Sequence, residues 1–343
     1  MHTTELRPGY RISRIVKGGW QLAGGHGDVD RARAIADMRE FLDAGIATFD
    51  CADIYTGVEA LIGDFIAANA AQCAAGNLKV HTKLVPDLQR LPEYRPADLE
   101  ATIDRSLARL RVERLDLVQF FWWDLSLGTP VETLASLARL QEKGKIDRLG
   151  ITNWDIEGIA PFVEAGLDIV SAQVQYSVLD PRPRHGLDVW CAGRDIGLIC
   201  YGVLAGGFLT PRWLGAPDPG FEFTNRSLVK YRLIIDEFGG WGLFQELLEI
   251  LDQVAGRHGV DLSTVAARYA LDQPQVAAII VGARYAAHLP ATIAVDALRL
   301  DPEDTEAINT VLAKRQGPTG PVYGLEGDRS GRHGAIMKYN LGQ

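Results

Sequence analysis

Ala44-Gly45-Ile46-Ala47-Thr48-Phe49-Asp50-Cys51-Ala52-Asp53-Ile54-Tyr55, followed by Glu59 and Leu61-Ile62-Gly63, is the stretch on which the reading of this chain turns. Its short apolar run, Ala47–Ala52, reads as a buried strand. The preceding segment, Asp30–Ala44, has an Asp at its start and apolar residues at helical spacing, so it reads as a capped helix. A helix, a glycine turn and a buried strand whose far end carries a carboxylate form one unit of an alternating α/β chain.

The same unit recurs in both directions. Seven more apolar runs read as strands: Arg14–Trp20, Leu78–Leu84, Leu115–Phe121, Arg148–Asn153, Ser171–Tyr176, Gly197–Val203 and Ala277–Gly282. Pro96–Leu110 and Pro130–Lys143 open with proline and read as helices, as do Leu243–Arg257 and Ser263–Leu271. Alternation of this kind implies a parallel sheet with helices packed outside it. Eight strands suggest that the sheet closes, giving an α/β fold of the (β/α)8 TIM-barrel type. A doubly wound open sheet is the competing architecture. The length of 343 residues suits one such barrel. We expect one barrel domain over residues 1–343, with a core of about 10–314. Residues 211–240, rich in Gly, Pro and aromatics, and the Gly-rich tail 316–343 are expected to be lids over the C-terminal face.

Net charge is −9, which does not favour nucleic acid or an anionic membrane as partner. No apolar run approaches the ~20 residues of a membrane span. The polar start, Met1 to Gly9, has no signal-peptide core, so a cytoplasmic location is expected. The four cysteines lack Cys-x-x-Cys spacing and the histidines lack His-x-x-x-His spacing, so no metal site is expected. No Gly-x-Ser-x-Gly occurs. Gly18-Gly19-Trp20 and Gly24-Gly25-His26-Gly27 lack the spacing of a dinucleotide-binding glycine motif.

The opening stretch, together with His81-Thr82-Lys83-Leu84, resembles the signature of the aldo-keto reductases. The resemblance covers about residues 10 to 314. It implies Asp50, Lys83 and Tyr55 as three of four polar groups of an active site, at the C-terminal ends of the strands. Their chemistry is coherent. A phenol titrates near ~10, a neighbouring ammonium favours the phenolate, and a buried ammonium needs a counter-charge such as Asp50. Tyr55 is then the general acid or base of hydride exchange between a carbonyl compound and its alcohol.

The resemblance also implies a nicotinamide cofactor. Thr152 and Asn153 of Gly150-Ile151-Thr152-Asn153-Trp154, with Gln173, correspond to the nicotinamide-holding residues. Tyr201 corresponds to the stacking aromatic, and Gly202 and Leu204 to the turn that approaches the pyrophosphate. At the adenine end, Gly282, Arg284 and His288 are the candidates. The guanidinium fork of Arg284 suits a 2′-phosphate, so NADPH is expected, with NADH as the alternative. Ala291 and Thr292 depart from the family's adenine-contacting pair.

The fourth polar group should be a histidine ending the run Leu115 to Phe120, and the residue there is Phe121. A phenyl ring cannot donate a hydrogen bond to a carbonyl oxygen, and one such donor is typically worth ~10²–10³ in rate. Phe121, Trp122, Trp123 and Trp20 are expected to form an aromatic wall for a flat or apolar small-molecule substrate. Three readings follow from the exchange: a carbonyl reductase with an unusual pocket, a reductase of conjugated double bonds, or a nucleotide-binding redox-sensing protein with little turnover.

Overall fold

The computed structural model describes residues 1–23 and 27–340. Gly24, Gly25 and His26 of the second glycine-rich piece, and the last three residues of the tail, lie outside the described residues.

Ten strands are present among the described residues. β1 (Thr3–Arg7) and β2 (Tyr10–Ser13) form an antiparallel hairpin. β3 (Ile15–Gly18), β4 (Thr48–Asp50), β5 (Lys79–Leu84), β6 (Leu115–Phe120), β7 (Ile146–Thr152), β8 (Ile169–Gln175), β9 (Gly197–Tyr201) and β10 (Val276–Gly282) follow one another around a closed barrel. Every neighbouring pair in the barrel is parallel, and β10 returns to β3 through Ile279 opposite Ile15. The eight expected strands are these eight, each within about three residues at either end. The closed ring excludes the open sheet.

The helices pack outside. Asp30 caps Arg31–Asp43 by accepting from the Arg33 amide at 3.0 Å. Pro96–Leu110 starts at its proline, and the Asp98 carboxylate in its first turn accepts from the Arg95 amide at 2.9 Å. Gly63 allows the helix Val58–Ala68 to cross this helix closely. A Cβ there would stand 2.1 Å from the Arg109 carbonyl oxygen.

Two features differ from expectation. The core begins before residue 10, because the β1–β2 hairpin plugs the bottom of the barrel. Its Leu6, Tyr10 and Ile12 pack with Val16, Leu117, Ile199 and Ile280 of the barrel interior. Residues 211–240 are not a loop throughout. They contain a 13-residue helix, Arg226–Phe238, capped by Asn225. Its Tyr231, Ile234, Ile235 and Phe238 are buried against Phe208 and the helix Gly240–His258, and apolar burial of that extent makes it part of the core. The tail, expected as a lid over the C-terminal face, is tied down at several points. The Val322 amide donates to Asp155 Oδ2 at 2.6 Å, Arg329 pairs with Asp124 at 2.7 Å, and the Leu88 amide donates to the Tyr339 carbonyl at 2.9 Å. The tail forms a strap across the C-terminal end of the barrel.

Candidate active site

Parallel strands aim alternate side chains into the barrel, and the last inward residues of β4, β5, β6 and β8 meet at its C-terminal end. Lys83 Nζ donates to Asp50 Oδ2 at 2.7 Å, to Oδ1 at 2.8 Å and to the Cys51 carbonyl at 2.8 Å. Gln173 Nε2 donates to Asp50 Oδ1 at 2.7 Å, and Gln119 Nε2 reaches the same oxygen at 3.3 Å. Asp50 is therefore a buried carboxylate surrounded by donors, which offsets its desolvation. Gln119 had no role in the sequence reading, although its place two residues before Phe121 on an inward-facing register marks it.

Lys83 Nζ lies 5.1 Å from the centroid of the Tyr55 ring. Burial alone would push the lysine down, but the charges of Asp50 and Tyr55 outweigh it and hold Lys83 above its ordinary value. Burial pushes the Tyr55 phenol up, while Lys83 pulls it down by charge and hydrogen bonding. The net direction is upward, so the lysine moderates the phenol's rise without reversing it. Sequence reasoning had only the lysine's term, because depth of burial is not local information.

The loop that carries Tyr55 is pinned from below. Arg109 Nη1 donates to the Asp53 carbonyl at 3.2 Å and to Glu59 Oε2 at 3.3 Å. Thr82 Oγ1 donates to Glu59 Oε1 at 2.7 Å. The Asp53 carboxyl, raised to about 8 by burial and by Glu59, accepts from the Ile54 amide at 2.9 Å.

The nicotinamide candidates gather at the same end. Tyr201 Oη donates to Asn153 Oδ1 at 2.7 Å, with Asn153 in the left-handed region at φ +61°. Thr152 Oγ1 is spent on the Gln173 carbonyl at 3.1 Å, so it braces β7 against β8. Gly202 turns at φ +74°, and a Cβ there would meet Tyr231 Oη at 2.5 Å. Leu204 opens the turn that follows. A carboxamide oxygen needs a donor. Asn153 Nδ2 has no protein partner among the described residues, and the Tyr201 ring lies beside it. Asn153 Nδ2 is therefore a donor that would fit a nicotinamide carboxamide.

The adenine-end candidates separate from one another. The Arg284 guanidinium donates to the carbonyls of Gly27 and Asp28, while its Nε is buried with no partner among the described residues. His288 is exposed at the start of Leu289–Ala297. Gly282 ends β10 with the Gln21 amide against it, 2.2 Å from where a Cβ would stand. Arg33, which the sequence reading passed over, stacks on Tyr285 with its Cζ 4.1 Å from the ring centroid.

The aromatic wall is only partly as expected. Trp20, 38% exposed, packs its ring 4.9 Å from that of Tyr55, and its Nε1 donates to Ser227 at 3.2 Å. Phe121 packs against Trp123 at 4.8 Å and against Tyr323 of the strap at 5.6 Å. Trp122 is not in the pocket. It is 1% exposed, lies against Phe120 and Tyr94 in the outer core, and donates its Nε1 to the Leu127 carbonyl at 2.8 Å. Alternation of side chains at the end of β6 sends it outward when Phe121 turns inward.

Behind the strap lies a buried ion cluster with no sequence signal. Arg182 is held by Asp180 (2.7 Å) and by Glu326 of the strap (2.8 Å), and Lys230 stands 3.7 Å from Glu326. Lys230 Nζ also lies 5.1 Å from the Tyr201 ring centroid and 6.0 Å from that of Tyr323. Burial would raise Glu326, but Lys230 and Arg182 bring it down to about 2. Lys230 itself is lowered by burial, with Glu326 opposing.

Residues 14–313 match the model of the Aldo/keto reductase family. The chain belongs to the aldo-keto reductase family. This is a family of NAD(P)H-dependent oxidoreductases. The chain is 27% identical over 334 residues to the aldo-keto reductase YhdN of Bacillus subtilis, covering 94% of this chain and 97% of that protein. It is 26% identical to the NADH-specific methylglyoxal reductase of Escherichia coli, with 86% and 93% covered. Flagellar radial spoke protein 5 of Chlamydomonas reinhardtii is 27% identical over 64% of this chain, and the match spans about half (49%) of that longer protein. The glycerol dehydrogenase structure from Gluconobacter oxydans superposes with a TM-score of 0.76 at 24% identity over 91% of this chain and 95% of that one, a likeness of fold.

Proposed function

We propose that this aldo-keto reductase interconverts an aldehyde or ketone with its alcohol, with Tyr55 as general acid and base and NADPH as the preferred cofactor. The observation that carries this reading is the buried Asp50–Lys83 pair set beneath the Tyr55 ring. When bound, a nicotinamide supplies the hydride to the carbonyl carbon. Tyr55 gives its proton to the carbonyl oxygen. The positive charge of Lys83 steadies the phenolate that remains, and Asp50 keeps Lys83 charged and aimed. Gln119 and Gln173, by donating to Asp50, hold that carboxylate in place. Asn153 and Gln173 offer amide groups to a carboxamide, and the ring of Tyr201 offers a face. Arg284 and Arg33 offer guanidinium groups for a 2′-phosphate.

Because burial raises the Tyr55 phenol, it stays protonated at neutral pH and serves reduction. Oxidation of the alcohol needs the phenolate, so the oxidative rate should climb with pH above neutrality while the reductive rate does not. The reading is tested by following NADPH absorbance over a panel of aldehydes, ketones and enones with the parent and Tyr55→Phe. Turnover should vanish in the variant while NADPH binding stays nearly intact. Loss of cofactor binding in a folded variant would refute the assignment. Activity confined to enones would favour the double-bond reductase instead.

A further inference from the structure

Phe121 leaves the site without the second hydrogen-bond donor that a carbonyl oxygen needs, and the strap brings a group to that place. Tyr323 packs its ring edge against Phe121, with centroids 5.6 Å apart at 76°. It does so from a left-handed backbone, φ +61°, which a tyrosine adopts only at a cost. Gly324 follows it directly. A glycine would hold that conformation more cheaply. The location is fixed from both sides, by the Val322 amide on Asp155 (2.6 Å) and by Glu326 on Arg182 (2.8 Å). No protein group among the described residues hydrogen-bonds the Tyr323 hydroxyl.

The neighbouring groups are otherwise committed. Tyr201 gives its hydroxyl to Asn153, and Lys230 faces Glu326 and three tyrosine rings. The Tyr231 ring is pressed onto the glycine turn at Gly202 and Gly206. Burial and then the charges of Glu326, Tyr339 and Tyr55 push the Tyr323 phenol well up, so it remains a donor throughout the neutral range.

We propose that Tyr323 is a catalytic residue of this protein: its hydroxyl donates to the substrate's carbonyl oxygen beside Tyr55, supplying from the strap the donor that Phe121 lacks. The substrates this admits are carbonyl compounds whose oxygen sits between two phenols and whose remainder lies against Trp20, Phe121 and Trp123. The inference rests on the carbonyl-reductase reading above. Tyr55 transfers the proton, while Tyr323 stabilises the oxygen's growing negative charge and keeps its own proton.

The test compares parent, Tyr323→Phe, Phe121→His, the double variant and Tyr55→Phe in steady-state kinetics, with NADPH affinity read separately by fluorescence quenching. Tyr323→Phe should lower kcat by about 10²-fold across the panel, with KM and NADPH affinity changed less than about threefold. A histidine at 121 should recover at least tenfold of that loss in the double variant, yet improve the parent little, since the two donors serve one oxygen. A kcat within about threefold of the parent, a loss confined to KM, or no recovery by histidine would overturn the inference and leave Tyr323 a wall of the pocket. If Tyr55→Phe is inactive while Tyr323→Phe is untouched, the inference alone falls. If the parent oxidises no nucleotide with any carbonyl, the underlying reading falls as well.

Discussion

Replacing Glu326 by Gln should unlatch the strap, and the structure sets the size of the effect. Glu326 is completely buried and accepts from Arg182 Nη1 at 2.8 Å and Nη2 at 3.1 Å, with Lys230 at 3.7 Å. The amide keeps the shape but removes the charge, and it turns an N–H2 towards guanidinium donors. Asp180 continues to hold one edge of Arg182. Lys230, already lowered by burial with Glu326 opposing, loses its counter-ion and drops further, so it can shed its proton and limit the damage. Arg182 has no such escape.

Removing one member of a buried ion pair costs about 3–5 kcal/mol, and at 1.36 kcal/mol per decade that raises strap opening by at least about 10²-fold. Hydrogen exchange should show it on the amides of Val322 and Gly327, which donate to Asp155 and to the Tyr323 carbonyl. If the loss is shared by the whole fold, an unfolding entropy of about 2.1 cal/mol/K per residue over this chain gives a fall in Tm of about 4–7 °C. Unchanged exchange at 322–328 together with a Tm within about 1 °C of the parent would refute the reasoning, because the cluster would then contribute nothing to holding the strap.

Other perturbations read other parts of the molecule. Arg284→Ala should weaken NADPH binding by about 10- to 100-fold, the worth of a charged hydrogen bond, and leave NADH affinity unchanged in the same titration. Gly63→Ala drives a methyl into the Arg109 carbonyl and should cost about 1–3 kcal/mol in urea unfolding. His81 is fully buried, has no hydrogen-bond partner on either ring nitrogen among the described residues, and is pushed down to about 3 by burial and by Lys83 and Lys79. It is neutral when folded and charges when unfolded below ~6.5, so its contribution is complete above that pH and is lost as pH falls towards 3. Between pH 7.5 and 5 the parent should lose about 2 kcal/mol more than His81→Asn does, and equal losses would show that the ring is not held neutral.

Much of this was readable in the chain because a parallel barrel writes itself locally. Each of its strands is buried on both faces and appears as an apolar run, and Asp30, Pro96 and Pro130 announce helix starts. Asp50 and Lys83 were legible because each sits at a strand end, where the fold directs functional groups, and Tyr55 because it stands in the loop directly after Asp50. The hairpin Thr3–Ser13 was missed because its strands are short and half polar, although Pro8-Gly9 is the turn signal that could have revealed it. The helix Arg226–Phe238 was hidden by the Gly- and Pro-rich residues before it, despite the Asn225 cap. Trp122 was misplaced because three adjacent aromatics look alike until the strand's alternation is followed past its end. Asp180, Arg182, Lys230 and Glu326 could not be found from spacing, since Glu326 lies 144 residues from the arginine it holds.

The seam of the barrel has a consequence for how the protein is made. β3 can pair on one side only with β10, and Arg14 is anchored to the carbonyls of Leu271 (2.8 Å) and Val276 (3.1 Å), far along the chain. At a synthesis rate of about 5–20 residues per second, the first barrel strand therefore waits roughly ten to fifty seconds on the ribosome for its last neighbour. Throughout that interval an apolar edge stands unpaired, the kind of surface that chaperones cover. The strap emerges later still, so a nascent chain completes its scaffold before it can close its site, and a truncation near residue 315 would release a finished barrel with an open mouth.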